Sequence, residues 1–181
     1  MAGTGSLLVI TGPPGAGKST VAALAAEAFD PSVLVAGDAF FAFLATGAIE
    51  PWLPASSTQN RIVTEAAAAA TVRFVNGGYH TIYDGVLGPW LVDRFLTASG
   101  LEMIDYAILL PPVERCLDRI ATRVGHGFDD ATATRKMHDE FSGAAIESRH
   151  LIVNDGDDPE ATADLLLDRA GSGTYRYRLN P

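Results

Sequence analysis

Short apolar runs rich in β-branched residues recur along the chain at 7–10, 33–36, 80–83, 103–110 and 151–153. Runs of that length, bounded by Gly, Pro or Asp, read as strands buried on both faces. Between them, apolar residues return every three to four positions over 18–29, 39–46, 58–76, 91–98, 113–124, 132–142 and 159–170, the spacing of helices with one buried face. The regular alternation of strand and helix predicts an α/β fold with a parallel sheet covered on both sides. In such folds ligands gather at the carboxyl ends of the strands. Local signals mark several boundaries. Ser56 or Ser57 can cap the long helix at 58–76, Gly77-Gly78 can end it, and Pro111-Pro112 can start the helix after the fourth strand. The alanine run 66–70 lies inside that long helix, where alanine is a good helix former. No internal repeat is present.

The first strand runs directly into Gly12-Pro13-Pro14-Gly15-Ala16-Gly17-Lys18-Ser19, which satisfies G-x-x-x-x-G-K-S/T and opens into the next helix. Glycines there let backbone N–H groups turn inward as an anion nest, and the helix N-terminus adds partial positive charge. Lys18 would neutralise phosphate oxygens, and Ser19 offers a hard oxygen suited to Mg²⁺, with Thr20 beside it.

Length and composition narrow the setting. The chain has 181 residues, 48% hydrophobic and 19% charged, enough for one globular domain with a little extra. That domain is placed at 1–170, with a short Gly-flanked lid at about 125–131 and a polar C-terminal extension at 171–181. The net charge of −9 and a pI near 4.7 argue against a broad electrostatic grip on nucleic acid or anionic membrane, so a bound phosphate must meet a local positive site. The single cysteine, Cys116, excludes an internal disulfide. The opening residues lack the basic n-region of a signal peptide, and no apolar run reaches the length of a membrane span. The expectation is a cytoplasmic protein.

Further candidates follow the strands. Asp84, after the third strand and before Gly85, is placed to hold Mg²⁺ through water and to face the acceptor, although Asp-Gly is also a common turn pair. Asp38 ends the second strand and is assigned as general base toward a hydroxyl, with an N-cap for a helix beginning at Ala39 as the structural alternative. Phe40, Phe41, Phe43, Trp52 and Trp90 lie near strand ends. The acceptor wall is drawn from Phe41, Trp52 and Trp90, with Asn60, Arg61 or Arg94 orienting polar groups. Arg115, Arg119 and Arg123 share the helix at 113–124. Arg119 is assigned to the nucleotide and Arg123 to charge on the transferred phosphoryl group, against the alternative of a solvated face paired with Glu114 and Asp118.

Asn154-Asp155-Gly156-Asp157 fits N-x-x-D without the lysine of the GTPase motif, so Asp157 joins the nucleotide candidates, with ATP as the expected donor and GTP as the alternative. His80, His126, His138 and His150 have no metal-ligand spacing, although His126 falls in the lid and is placed to touch ligand. Cys116 sits mid-helix among apolar residues, the setting of an inert thiol.

Taken together these residues resemble the P-loop small-molecule kinases related to nucleoside monophosphate kinases, a group that includes adenylate, shikimate and gluconate kinases and chloramphenicol phosphotransferase. The resemblance covers nearly the whole chain, through the phosphate loop at 12–19, Gly37-Asp38, Asp84-Gly85 and the arginine-bearing stretch 117–123. It implies a three-layer α/β/α P-loop NTPase fold with a five-stranded parallel sheet in the order 2-3-1-4-5. It also implies transfer of a nucleotide γ-phosphate to a hydroxyl of a small molecule such as an antibiotic, a sugar or a nucleoside. Monophosphate kinases carry an arginine after the second-strand aspartate, where this chain has Ala39-Phe40-Phe41, which points away from a monophosphate acceptor. The Asp38 position resembles the base of chloramphenicol phosphotransferase. A nucleotide-binding regulatory ATPase without a small acceptor is the competing reading, and oligomeric state is left open.

Overall fold

A computed structural model of the protein describes residues 5–122, 129–156 and 158–179. Five parallel strands run β1 (Ser6–Thr11), β2 (Ser32–Ala36), β3 (His80–Asp84), β4 (Ile104–Leu109) and β5 (Leu151–Ile152), in the order β2-β3-β1-β4-β5. This is the order the resemblance implies. Helices α1 (Lys18–Glu27), α2 (Ser57–Asn76), α3 (Pro89–Ser99), α4 (Val113–Thr122), α5 (Ala131–Gly143) and α6 (Pro159–Gly171) connect and cover them.

The two-residue period of the strands sorts the core into two layers. Leu7 and Val9 of β1 join Tyr83, Tyr106 and Ile108 beneath α2 and α3. Leu8 and Ile10 join Ile82, Ala107, Leu109 and Ile152 beneath α1 and α6. Ala67 and Ala68 of the alanine run are buried against the first layer, where a small side chain lets α2 approach the sheet closely.

Three expectations are corrected. Residues 39–46, read as a helix of ordinary pitch, form a 3₁₀ helix over Gly37–Phe43. Asp38 therefore caps no α-helix, and its carboxylate is used elsewhere. Ser56 is the N-cap of α2, but its hydroxyl donates to the carbonyls of Pro51 and Leu53 and accepts from the Asn60 side chain, rather than capping a backbone N–H of the helix. The tail at 171–181, read as an extension, adds a sixth strand, β6 (Arg176–Tyr177), antiparallel to β4. β5 covers only the end of β4, at Ile108 and Leu109, so the start of that edge is left for β6 at Ile104 and Asp105. Arg149 fastens the tail by donating to the carbonyls of Thr174 and Arg176 at 2.7 and 2.9 Å, and Tyr175 is fully buried.

Candidate active site

The carboxyl ends of β1, β2 and β3 meet in register, Ile10 and Ala36 both pairing with Asp84. Everything that follows those three residues therefore emerges at one sheet edge. After β1 the phosphate loop turns through Gly12, Gly15 and Gly17, whose φ values of 145°, 78° and 93° are costly for any residue with a Cβ. Space adds a second constraint. A side chain at Gly12 would run into the carbonyl oxygen of Leu109, and one at Gly15 into that of Cys116.

The loop closes on itself as well. Both the Ala16 N–H and the Lys18 ammonium donate to the Pro13 carbonyl, at 3.2 and 3.1 Å. Lys18 is buried, whereas Ser19 and Thr20 at the start of α1 are exposed.

Arg119 of α4 and Asn154 hold this loop against the segment after β5, and Arg115 ties α4 to the same segment. Arg119 donates to the carbonyls of Gly15 and Ala16, each at 3.4 Å, and to Gly156 at 3.2 Å. Arg115, one turn earlier on the same face, donates to Asp155 at 2.9 and 3.2 Å. Buried Asn154 donates through Nδ2 to the Ala16 carbonyl at 2.8 Å. A cleft of about 230 Å³ opens between Gly17, Thr20, Arg119, Asn154, Pro159 and Thr162. A second, of about 320 Å³, runs along Gly15, Lys18, Ser19, Thr20, Arg119 and Thr122. Arg119 thus binds backbone carbonyls rather than the Glu114 and Asp118 of the alternative reading. Glu114 instead makes a loose 3.9 Å contact with Arg135 of α5.

On the other side of Lys18 and Ser19 lies a cavity of about 470 Å³. Asp38, Phe41, Trp52 and Trp90, proposed from sequence, all line it. Asp38 Oδ1 accepts the N–H of Val86 at 2.9 Å, fixing the carboxylate to the chain after β3. On the 3₁₀ helix Phe41 faces the cavity, while Phe40 and Phe43, three residues apart on another face, meet edge to face at 5.4 Å, Phe40 packing toward the core and Phe43 exposed. Trp90 lies over Gly88, where any side chain would meet the indole, and its ring centroid is 5.1 Å from that of Phe141.

Asp84 ends β3 half-buried and does not line this cavity. Burial pushes the neighbouring Tyr83 phenol well above its ordinary value, and the charges of Asp38 and then Asp84 push it further, as two carboxylates close to one hydroxyl must. The Ser19 hydroxyl and the Asp84 carboxylate are hard oxygen donors at the same sheet edge. That is a set suited to Mg²⁺, which takes few protein ligands besides phosphates and water.

Arg61 is a correction. It stands on the exposed face of α2, donates to Thr58 at 3.2 Å, and does not reach the wall; Asn60 lines it instead. Adjacent helical positions are about 100° apart, so only one of the pair can face inward. Arg94 is likewise engaged, with Glu65 at 2.7 Å. Arg123, His126 and Asp157, and the lid at 125–131 except its last three residues, lie outside the described residues.

Sequence reasoning passed over Thr64, Met137 and Glu140, which also line the cavity. Lys136 of α5 donates to the Trp52 carbonyl at 2.9 Å and thereby closes α5 against the wall. No local spacing signals a contact between positions so far apart in the chain. Cys116 is buried, and burial raises its thiol to about 11 despite the opposing charges of Lys18 and Arg119, so at neutral pH it stays protonated. Among the described residues, no helix is long and apolar enough to cross a membrane.

A family model described as an AAA domain matches residues 7–145. No curated protein matches the chain. Among solved structures, the tunicamycin resistance protein of Deinococcus radiodurans superposes with a TM-score of 0.68 at 17% identity, over 92% of this chain and 96% of that one. A sugar kinase from Janibacter sp. gives 0.66 at 20% identity, over 93% of each chain. The APS kinase of Mycobacterium tuberculosis, solved with AMPPNP and APS, gives 0.69 at 14% identity, over 93% of this chain and 99% of that one. At these identities the likeness is one of fold.

Proposed function

The chain belongs to the AAA domain family, and from that premise we propose that it is a small-molecule kinase moving the γ-phosphoryl group of ATP to a hydroxyl of a small acceptor. One observation carries the reading. The Asp38 carboxylate shares a 470 Å³ cavity with Lys18 and Ser19, so a base and the end of a phosphate loop face the same space.

In this reading the N–H groups of the loop and the Lys18 ammonium hold the β- and γ-phosphates, and the cleft between Arg119, Asn154 and Pro159 takes the base of the nucleotide. Ser19 and Asp84 would hold Mg²⁺, which neutralises phosphate charge when bound. The acceptor oxygen bonds to the γ-phosphorus as the bond to the leaving ADP oxygen breaks, and the hydroxyl proton passes to Asp38. Arg123, four residues beyond Arg119 in sequence, keeps the assignment to charge on the transferred group. GTP in place of ATP is a matter for the same assay.

The test incubates the protein with Mg-ATP or Mg-GTP and a panel of sugars, nucleosides and hydroxylated antibiotics, reading a gain of one phosphate by mass. Antibiotics are included because a tunicamycin resistance protein shares the fold. The expected result is acceptor-dependent ADP formation that Asp38→Asn abolishes. Hydrolysis of ATP that needs no acceptor and survives Asp38→Asn would overturn the reading in favour of a nucleotide-dependent regulator.

A further inference from the structure

The acceptor cavity is unevenly charged. Asp38 and Glu140 both contribute to its wall, whereas Lys18 is its one cation among the described residues. Lys18 sits at the phosphate loop, where a bound nucleotide takes up its charge. The other basic side chains nearby are engaged elsewhere: Arg61 with Thr58, Arg94 with Glu65, and Lys136 with the Trp52 carbonyl. Lys136 also stands 3.9 Å from Glu140, a contact between side chains 48% and 43% exposed that water largely screens. Once the nucleotide is in place, the acceptor half of the cavity is therefore lined by two carboxylates and, among the described residues, by no further cation; Lys136, which stands 3.9 Å from Glu140, does not line it.

Much of the remaining wall is apolar and aromatic, with Phe41, Trp52, Trp90 and Met137 among its members. A phosphate, sulfate or carboxylate brought here would be repelled by like charge, with only the neutral donors of Ser19, Asn60 and Thr64 on the wall to offset it. An ammonium group gains twice, from the Glu140 carboxylate and from the electron-rich faces of the tryptophans.

Resting on the kinase reading above, we propose that the acceptor is a partly apolar hydroxyl compound bearing a protonated amine, which Glu140 and the tryptophan faces recognise, and that anionic acceptors are excluded. The chain's two tryptophans, Trp52 and Trp90, both line this cavity, so intrinsic fluorescence reports its occupancy without turnover. The protein, saturated with Mg-ADP so that Lys18 and the loop are occupied, is titrated with three probes that share one phenylpropane skeleton. These are phenylalaninol (cationic), 3-phenylpropane-1,2-diol (neutral) and phenyllactate (anionic).

The expected result is that phenylalaninol quenches most tightly, on the order of tenfold better than the diol, with phenyllactate weakest. Glu140→Gln brings phenylalaninol down to the level of the diol and leaves the diol unchanged. Phenylalaninol binding no better than the diol, phenyllactate binding as well as either, or no quenching by any of the three overturns the proposal. Failure of the kinase reading shows separately, as loss of Asp38-dependent transfer, because this titration reads binding alone.

Discussion

Asp38 Oδ1 accepts the backbone N–H of Val86 at 2.9 Å, joining the chain after β2 to the chain after β3 beside the phosphate loop. The bond leaves Oδ2 without a protein hydrogen bond among the described residues, on a side chain that lines the acceptor cavity. One oxygen thus anchors the group, and in the proposed reaction the other takes the proton.

That division of labour separates two substitutions. Asp38→Asn retains an oxygen for the Val86 N–H and should melt close to the parent. Asp38→Ala loses the anchor and should be destabilised by about 1 kcal/mol. Both should reduce phosphoryl transfer by roughly 10²- to 10⁴-fold, the range expected for a general base. Thermal melts beside single-turnover rates check the pair, and unequal losses of transfer would show that anchoring, not basicity, dominates.

Gly15→Ala should cripple the phosphate loop. It combines a φ of 78° with a Cβ forced onto the Cys116 carbonyl, so the loop must move away from α4 or the protein must bear the strain. A cost of roughly 2 to 4 kcal/mol is expected, together with loss of nucleotide binding. Calorimetric titration with Mg-ADP and a denaturant melt read the two effects.

The tail is structural. Tyr175 is fully buried against the α1 and α6 layer, and its carbonyl accepts the Tyr106 N–H at 2.8 Å. Tyr175→Ala should cost about 3 to 5 kcal/mol, as for other large aromatic truncations in a core. Removing residues 172–181 should destabilise at least as much, which urea unfolding would show.

His150 makes stability depend on pH. Burial lowers its imidazole below the ordinary value, outweighing the hydrogen bond its ring makes to the Tyr106 carbonyl at 2.8 Å; the charge of Arg149 lowers it further and that of Glu147 opposes. The unfolded chain therefore binds a proton that the folded one resists. The stabilising contribution is complete above a pH of about 6.5 and is lost as the pH falls below it toward the depressed folded value. His150→Asn offers a similar donor and does not titrate. Relative to this variant, the wild type should lose stability between pH 7 and pH 5, and parallel profiles for the two would refute the assignment.

Much of the site was legible because its parts are short-range. The glycines of the phosphate loop and the aspartate just after β2 were placed by strand–loop–helix order alone, since a parallel sheet brings all its carboxyl ends to one edge. Arg61 was misplaced because proximity in sequence does not say which face of α2 points inward. Glu140 and Met137 were not seen because nothing near them in the chain announces a cavity formed with Trp52.

The strand and helix periods, the phosphate loop and the position of Asp38 follow from spacing rules that act within a few residues, so the amino-acid order alone sufficed for them. Folding chose Asn60 over Arg61, turned Phe41 rather than Phe43 into the cavity, brought α5 against Trp52 through Lys136, and laid β6 along the part of β4 that β5 leaves open. Those outcomes depend on how distant segments fill space and satisfy one another's polar groups, and only the packed molecule sets that.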